Sequence, residues 1–184
     1  MNIANKISTL RILSVPFFIS CLLYYSPGKD YLRFIALAIF IAAVISDAVD
    51  GYIARKKKEY TPAGLILDPL GDKILLMSAF IFLHSINTGI RFPLWVSLIV
   101  VSRDAIILLG VVAIFLVRQR FDIRPAIWGK LTTGFQMASV ISVLMRFEFS
   151  YILWSVAVFF TIISGIDYLR KGFIVLYGPI GNSD

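Results

Sequence analysis

The sequence predicts an all-α integral membrane protein, with six transmembrane helices in a single domain spanning residues 1–184. Three observations predict it. The chain is 59% hydrophobic and only 16% charged, with a mean hydropathy of +0.85, more apolar than a soluble core requires. Its apolar runs approach the length needed to cross about 30 Å of hydrocarbon and are separated by short polar connections. The charges that remain gather at the ends of these runs. A net charge of +7 would also suit nucleic acid, but in a chain this apolar it is read as cytoplasmic flanking charge and attraction to anionic lipid. No nucleic-acid partner is expected. The single Cys21 excludes a disulfide within the chain.

Taken in order, the first span is expected from about Ile7 to Tyr25, bent at Pro16. A charged start before an apolar run can be a signal peptide, but here the run continues past Cys21 and more spans follow, which favours a retained helix. Asn5, Thr9 and Arg11 can be read as interfacial polar residues. Ser26-Pro27-Gly28 is a turn, and the second span runs from about Tyr31 to Arg55, ending in a basic cluster. Thr61 and Pro62 read as the cap and first turn of the third helix, which Pro69 either kinks or restarts. That helix continues to about Ile86, with His84 as an interfacial residue near its end. The fourth span, from about Pro93 to Val117, carries Arg103-Asp104 at its middle, either as an internally paired dipole or as an anion site. The fifth runs from about Gly129 to Leu144 and the sixth from about Ile152 to Leu169. Tyr24, Trp95, Trp128 and Tyr168 fit aromatic belts at the interface.

The chemistry is concentrated between Asp47 and Asp72. Asp47, Asp50, Asp68 and Asp72 lie in or beside apolar sequence, where an ionised carboxylate is costly unless neutralised. On a helix, Asp47 and Asp50 share a face with Ala54 one turn on, and Gly64, Asp68 and Asp72 form a second stripe at i, i+4 and i+8. Two facing stripes make a four-carboxylate pocket. Hard oxygen ligands without histidine or cysteine suit Mg2+ or Mn2+, and four carboxylates suffice for two ions with a substrate phosphate between them. Gly51, Ala54 and Gly64 leave room for a ligand, and Arg55 offers a fixed cation for phosphate oxygens. Asp72 is the expected general base.

These residues read D-x-x-D-G-x-x-A-R, eight residues, then G-x-x-x-D-x-x-x-D. The pattern resembles the signature of the CDP-alcohol phosphatidyltransferase family at all of its specified positions. The resemblance implies the six-helix fold of that family, a homodimer, and transfer of a phosphatidyl or similar group from a CDP-linked donor to an alcohol with release of CMP. It implies donor contacts from Asn5, Gly51, Ala54, Arg55 and Gly64, Asn5 belonging to an N-x-x-x-T-x-R segment similar to the family's amino terminus. Arg103, Arg124 and Lys130, with Thr133 and Gln136 nearby, resemble the places where members using phosphorylated acceptors bind that phosphate.

Within the family the run from Asn5 to Arg11, the segment LDPLGDK and the later G-K-x-x-T-x-x-x-Q resemble phosphatidylglycerophosphate synthases, which use CDP-diacylglycerol and glycerol 3-phosphate. Asp104 and Gly71 depart from that pattern, and S-R-D at 102–104 is similar to cardiolipin synthases of the same fold, which use phosphatidylglycerol. The internal cations favour the dianionic acceptor. A divalent-cation or proton transporter would explain the acids but not the glycine and alanine-arginine positions between them. Lysine and arginine crowd the amino terminus, the second-to-third and fourth-to-fifth connections and the carboxyl end, which places both termini and the aspartates toward the cytoplasm.

Overall fold

The computed structural model describes the backbone of residues 3–57, 64–118 and 127–177, and the side chains of residues 10–48, 71, 73–110 and 127–170. Over these residues the chain forms six helices: α1 (Ile3–Leu23), α2 (Asp30–Lys57), α3 (Gly64–Ser85), α4 (Leu94–Arg118), α5 (Ile127–Leu144) and α6 (Ser150–Tyr177). Number and order match the expectation from the sequence. Two of the helices hold segments long and apolar enough to cross a membrane, Asp30–Ala48 and Ser150–Arg170.

Some helices extend beyond the expected spans. The candidate span of α6, Ser150–Arg170, matches the expected sixth span, and the helix itself continues to Tyr177, with the first proline after it at Pro179. α1 begins at Ile3, ahead of the expected Ile7, and is continuous through Pro16. α3 is one helix through Pro69 and does not start again at Asp68; the expected cap at Thr61 and Pro62 lies outside the described residues. The first turn is as expected, with Lys29 N donating to Ser26 O at 2.7 Å.

α1 packs between α2 and α3, α3 also meets α4 and α5, and α6 closes the other side against α4 and α5. The core between them is apolar. Phe80 and Phe92 stack at 4.5 Å, Trp154 meets Phe92 edge-on at 5.7 Å, and Phe18 lies 5.9 Å from Phe40. The outside is apolar too, with Phe17, Leu109 and Phe159 each more than 60% exposed, as suits a bundle solvated by lipid.

Several polar groups of the bundle are answered locally. On the buried α5–α6 face, Gln136 Nε2 donates to Thr161 Oγ1 at 3.1 Å, and Thr161 donates to the Ala157 carbonyl at 2.6 Å. Serines 20, 78 and 139 each donate to the carbonyl four residues back, so their hydroxyls need no outside partner.

One end of the bundle is tied by Arg146. Its Nε donates to the Thr88 carbonyl at 2.5 Å, its Nη2 to Asp30 Oδ1 at 2.9 Å and to Tyr25 Oη, joining the α1–α2, α3–α4 and α5–α6 connections. Arg146 itself sits at φ 56°, a left-handed conformation that costs a side-chain-bearing residue about 1–2 kcal/mol. Gly89, at φ +106°, lies beneath it, and a Cβ there would come within 3.0 Å of Arg146 Nε. Arg33 Nη1 adds a bond to the Leu144 carbonyl at 2.5 Å. His84 Nδ1 lies 2.9 Å from the Phe92 carbonyl, joining α3 to the α3–α4 connection. The Tyr168 hydroxyl donates to the Ile107 carbonyl at 3.2 Å over Gly110, where a Cβ would come within 2.8 Å of it.

Candidate active site

Residues from α1 (Arg11), α2 (Phe40, Ala43, Val44, Asp47), α3 (Leu75, Leu76) and α5 (Met137) line a small cavity. Asp47 therefore stands level with Leu75 and Leu76. By helix register alone, Asp50 and Ala54 follow Asp47 on α2, and Asp72 and Asp68 precede Leu75 on α3. Asn5 lies on α1, six residues or about 9 Å before Arg11. Gly51, Ala54 and Arg55 lie in α2 and Gly64 opens α3; the side chains of Asn5, Asp50, Arg55, Asp68 and Asp72 fall outside the described ones.

Asp47 is the described member of the acidic set. Its Oδ1 is 3.3 Å from Arg11 Nη1, with the aspartate side chain 38% and the arginine 3% exposed. The sequence points to Arg11 as an interfacial residue; the structure instead buries it as the counter-ion of Asp47. Among the described side chains no three metal-ligating groups come together. The donor chemistry nonetheless suits a divalent ion, since Asp47 keeps part of its carboxylate exposed.

A second polar centre joins α3, α4 and α6. Asp104 is fully buried, with Oδ1 2.6 Å from Arg103 Nη1 and Oδ2 3.0 Å from Lys73 Nζ. Arg103 Nη2 donates to Ser164 Oγ. A paired dipole of Arg103 and Asp104 therefore describes the geometry, extended by Lys73, which the sequence pattern marks only as flanking charge. Arg103 also lines a cavity of about 260 Å3 between α4 and α6. Lys130 is exposed at the start of α5 and does not line that cavity, although its neighbour Gly129 lies against Ser164, 3.8 Å from a Cβ placed there. Arg124 falls outside the described residues. Asp47 and Arg103 line separate cavities.

The chain is thus an apolar six-helix bundle whose second and third helices each carry an acidic stripe. A family model described as CDP-alcohol phosphatidyltransferase matches residues 1–163, and the chain belongs to that family. It is an enzyme, a phosphatidyltransferase of phospholipid biosynthesis, and the family generally uses divalent metal ions. The chain is 32% identical over 190 residues to the CDP-diacylglycerol--glycerol-3-phosphate 3-phosphatidyltransferase of Aquifex aeolicus (strain VF5), covering 96% of this chain and 99% of the relative. It is 31% identical over 194 residues to the protein of the same name from Bacillus subtilis (strain 168), covering 95% and 97%. The protein of that name from Haemophilus influenzae is 32% identical over 176 residues, covering 92% of each chain.

Proposed function

We propose that this chain transfers the phosphatidyl group of CDP-diacylglycerol to glycerol 3-phosphate, giving phosphatidylglycerophosphate and CMP. The observation that carries the reading is the pairing of an intact acidic motif on α2 and α3 with full-length similarity to relatives named for that reaction. Cardiolipin synthesis has less support, since the three relatives from Aquifex, Bacillus and Haemophilus all carry the glycerol 3-phosphate name.

In this reading Asp47, Asp50, Asp68 and Asp72 hold two divalent ions, Mg2+ or Mn2+, which when bound neutralise the donor diphosphate and make its phosphorus electrophilic. Asn5, Gly51, Ala54, Arg55 and Gly64 seat the CDP moiety, the small residues giving it room and Arg55 meeting charge on the departing CMP. The acceptor hydroxyl oxygen bonds to the phosphatidyl phosphorus as the bond from phosphorus to the CMP oxygen breaks, and Asp72 takes the hydroxyl proton. No covalent enzyme intermediate is required. Arg103, Arg124 and Lys130 hold the acceptor phosphate.

The chain works as one domain over residues 1–184, with all six helices spanning the bilayer, in a homodimer. Both termini and the aspartates face the cytoplasm. Burial of Arg11 and Lys73 removes those two from the loop charges, and Arg55 to Lys58, Arg118, Arg120, Arg170 and Lys171 still support that orientation.

Incubating purified enzyme with CDP-diacylglycerol, Mg2+ and either glycerol 3-phosphate, phosphatidylglycerol, inositol phosphate or serine tests this directly. Phosphatidylglycerophosphate is the expected main product by mass. Cardiolipin as the sole product would overturn the acceptor, and metal-independent turnover would overturn the site.

A further inference from the structure

Resting on glycerol 3-phosphate as the acceptor, we propose that Asp104 and Ser164 are positioning residues that aim Arg103 at the acceptor phosphate, with Lys73 anchoring Asp104 from the neighbouring helix. A guanidinium carries five N–H donors in a fixed plane, so holding two of its nitrogens decides which edge remains for a ligand. Here Nη1 is held by Asp104 at 2.6 Å and Nη2 by Ser164. The stem is held as well: Cγ lies over Gly165, where a Cβ would approach it to 3.4 Å.

The nitrogen left without any partner among the described residues is Nε, which is buried. An N–H left unanswered in the interior is costly, and a ligand oxygen removes the cost. The cavity of about 260 Å3 lined by Arg103, Ser102 and Thr161 provides space beside the residue.

The charges point the same way. Among the described residues, two cations, Arg103 and Lys73, meet one fully buried carboxylate. A purely structural pair needs one cation for one carboxylate; the second is offset when an anion arrives. Because the holding groups come from α3, α4 and α6, the orientation of Arg103 is set before the ligand binds, which lowers the ordering cost of binding it.

The test uses the full-length enzyme in detergent with CDP-diacylglycerol and glycerol 3-phosphate, measuring both Michaelis constants and a thermal melt for each variant. Arg103→Ala is expected to raise the constant for glycerol 3-phosphate roughly 10- to 150-fold, with that for CDP-diacylglycerol little changed. Asp104→Asn and Ser164→Ala are each expected to raise the same constant severalfold, and Asp104→Glu to recover part of the loss. In the Arg103→Ala background, Ser164→Ala is expected to add nothing.

If Arg103→Ala leaves the glycerol 3-phosphate constant unchanged, the assignment of the acceptor site fails and the positioning role falls with it. If Arg103→Ala raises it while folded Ser164→Ala has no effect, or has the same effect with and without Arg103, the positioning role is overturned and the acceptor site stands. Ser164→Ala deletes one hydroxyl and keeps the packing, so the test remains decisive even where Asp104→Asn fails to fold.

Discussion

Arg11 Nη1 stands 3.3 Å from Asp47 Oδ1, so a buried cation on α1 already faces the first carboxylate of the acidic motif. A cation at that distance competes electrostatically with a metal ion for the same aspartate. Arg11→Met is therefore expected to lower the Mg2+ concentration needed for half-maximal activity while weakening the packing of α1 against α2. A magnesium titration and a thermal melt of the variant check the two effects separately. A higher magnesium requirement would mean that Arg11 supports metal binding by orienting Asp47.

The aspartates are expected to divide into two groups. Asp47→Asn, Asp50→Asn and Asp68→Asn each remove charge needed to balance divalent ions, so turnover and apparent metal affinity should fall together. Asp72→Asn should lose turnover while donor binding largely survives. Equilibrium binding of CDP-diacylglycerol beside the steady-state rate separates these outcomes, and near-normal turnover in the Asp72 variant would remove it as the base.

The motif and the helix count are legible in the sequence because both are local. Asp47 to Asp72 is a spacing pattern along two helices, and each apolar run shows its own length and breakers. The pairings of Arg11 with Asp47 and of Lys73 with Asp104 are not legible, since each joins residues 31 or more positions apart whose meeting depends on how the helices pack. A cation within an apolar run is the available signal, and the same residue counts equally well as loop charge. The boundary of the sixth span is legible, like the motif, because it is local: Arg170 and Lys171 close the apolar run where the candidate span ends, although the helix continues to Tyr177.

Arg146 offers a stability test well separated from the acidic motif. Arg146→Ala removes the contacts to Asp30, Tyr25 and Thr88 but keeps the left-handed backbone strain. A stability loss of about 1–3 kcal/mol is expected, with both Michaelis constants unchanged in the folded enzyme. Arg146→Gly is expected to melt higher than Arg146→Ala by relieving the strain, the reverse of the usual order for these two residues in a helix. Equal melting temperatures would show that the backbone there relaxes.

Lys130 is exposed at the start of α5, where its charge is more strongly screened than that of Arg103. Lys130→Ala is expected to raise the acceptor's Michaelis constant less than Arg103→Ala does, and the increase should shrink as ionic strength rises. Acceptor saturation curves at low and high salt measure this; an effect independent of salt would place the ammonium in direct, desolvated contact with the phosphate.

The Lys73–Asp104 pair also bears on how the protein is made. Lys73 leaves the ribosome before Asp104, and a charged residue near the middle of a membrane helix costs about 2.5–3.5 kcal/mol on insertion scales. With all six helices spanning the bilayer as proposed, α3 alone would carry that cost unpaired, whereas α3 and α4 entering together bring Lys73 and Asp104 within 3.0 Å. The two helices are thus expected to be retained near the insertion machinery and released into the bilayer as a hairpin. Chains stalled between them should leave α3 poorly integrated, while Lys73→Leu should let it integrate early; full integration of wild-type α3 before α4 emerges would show that the two insert independently.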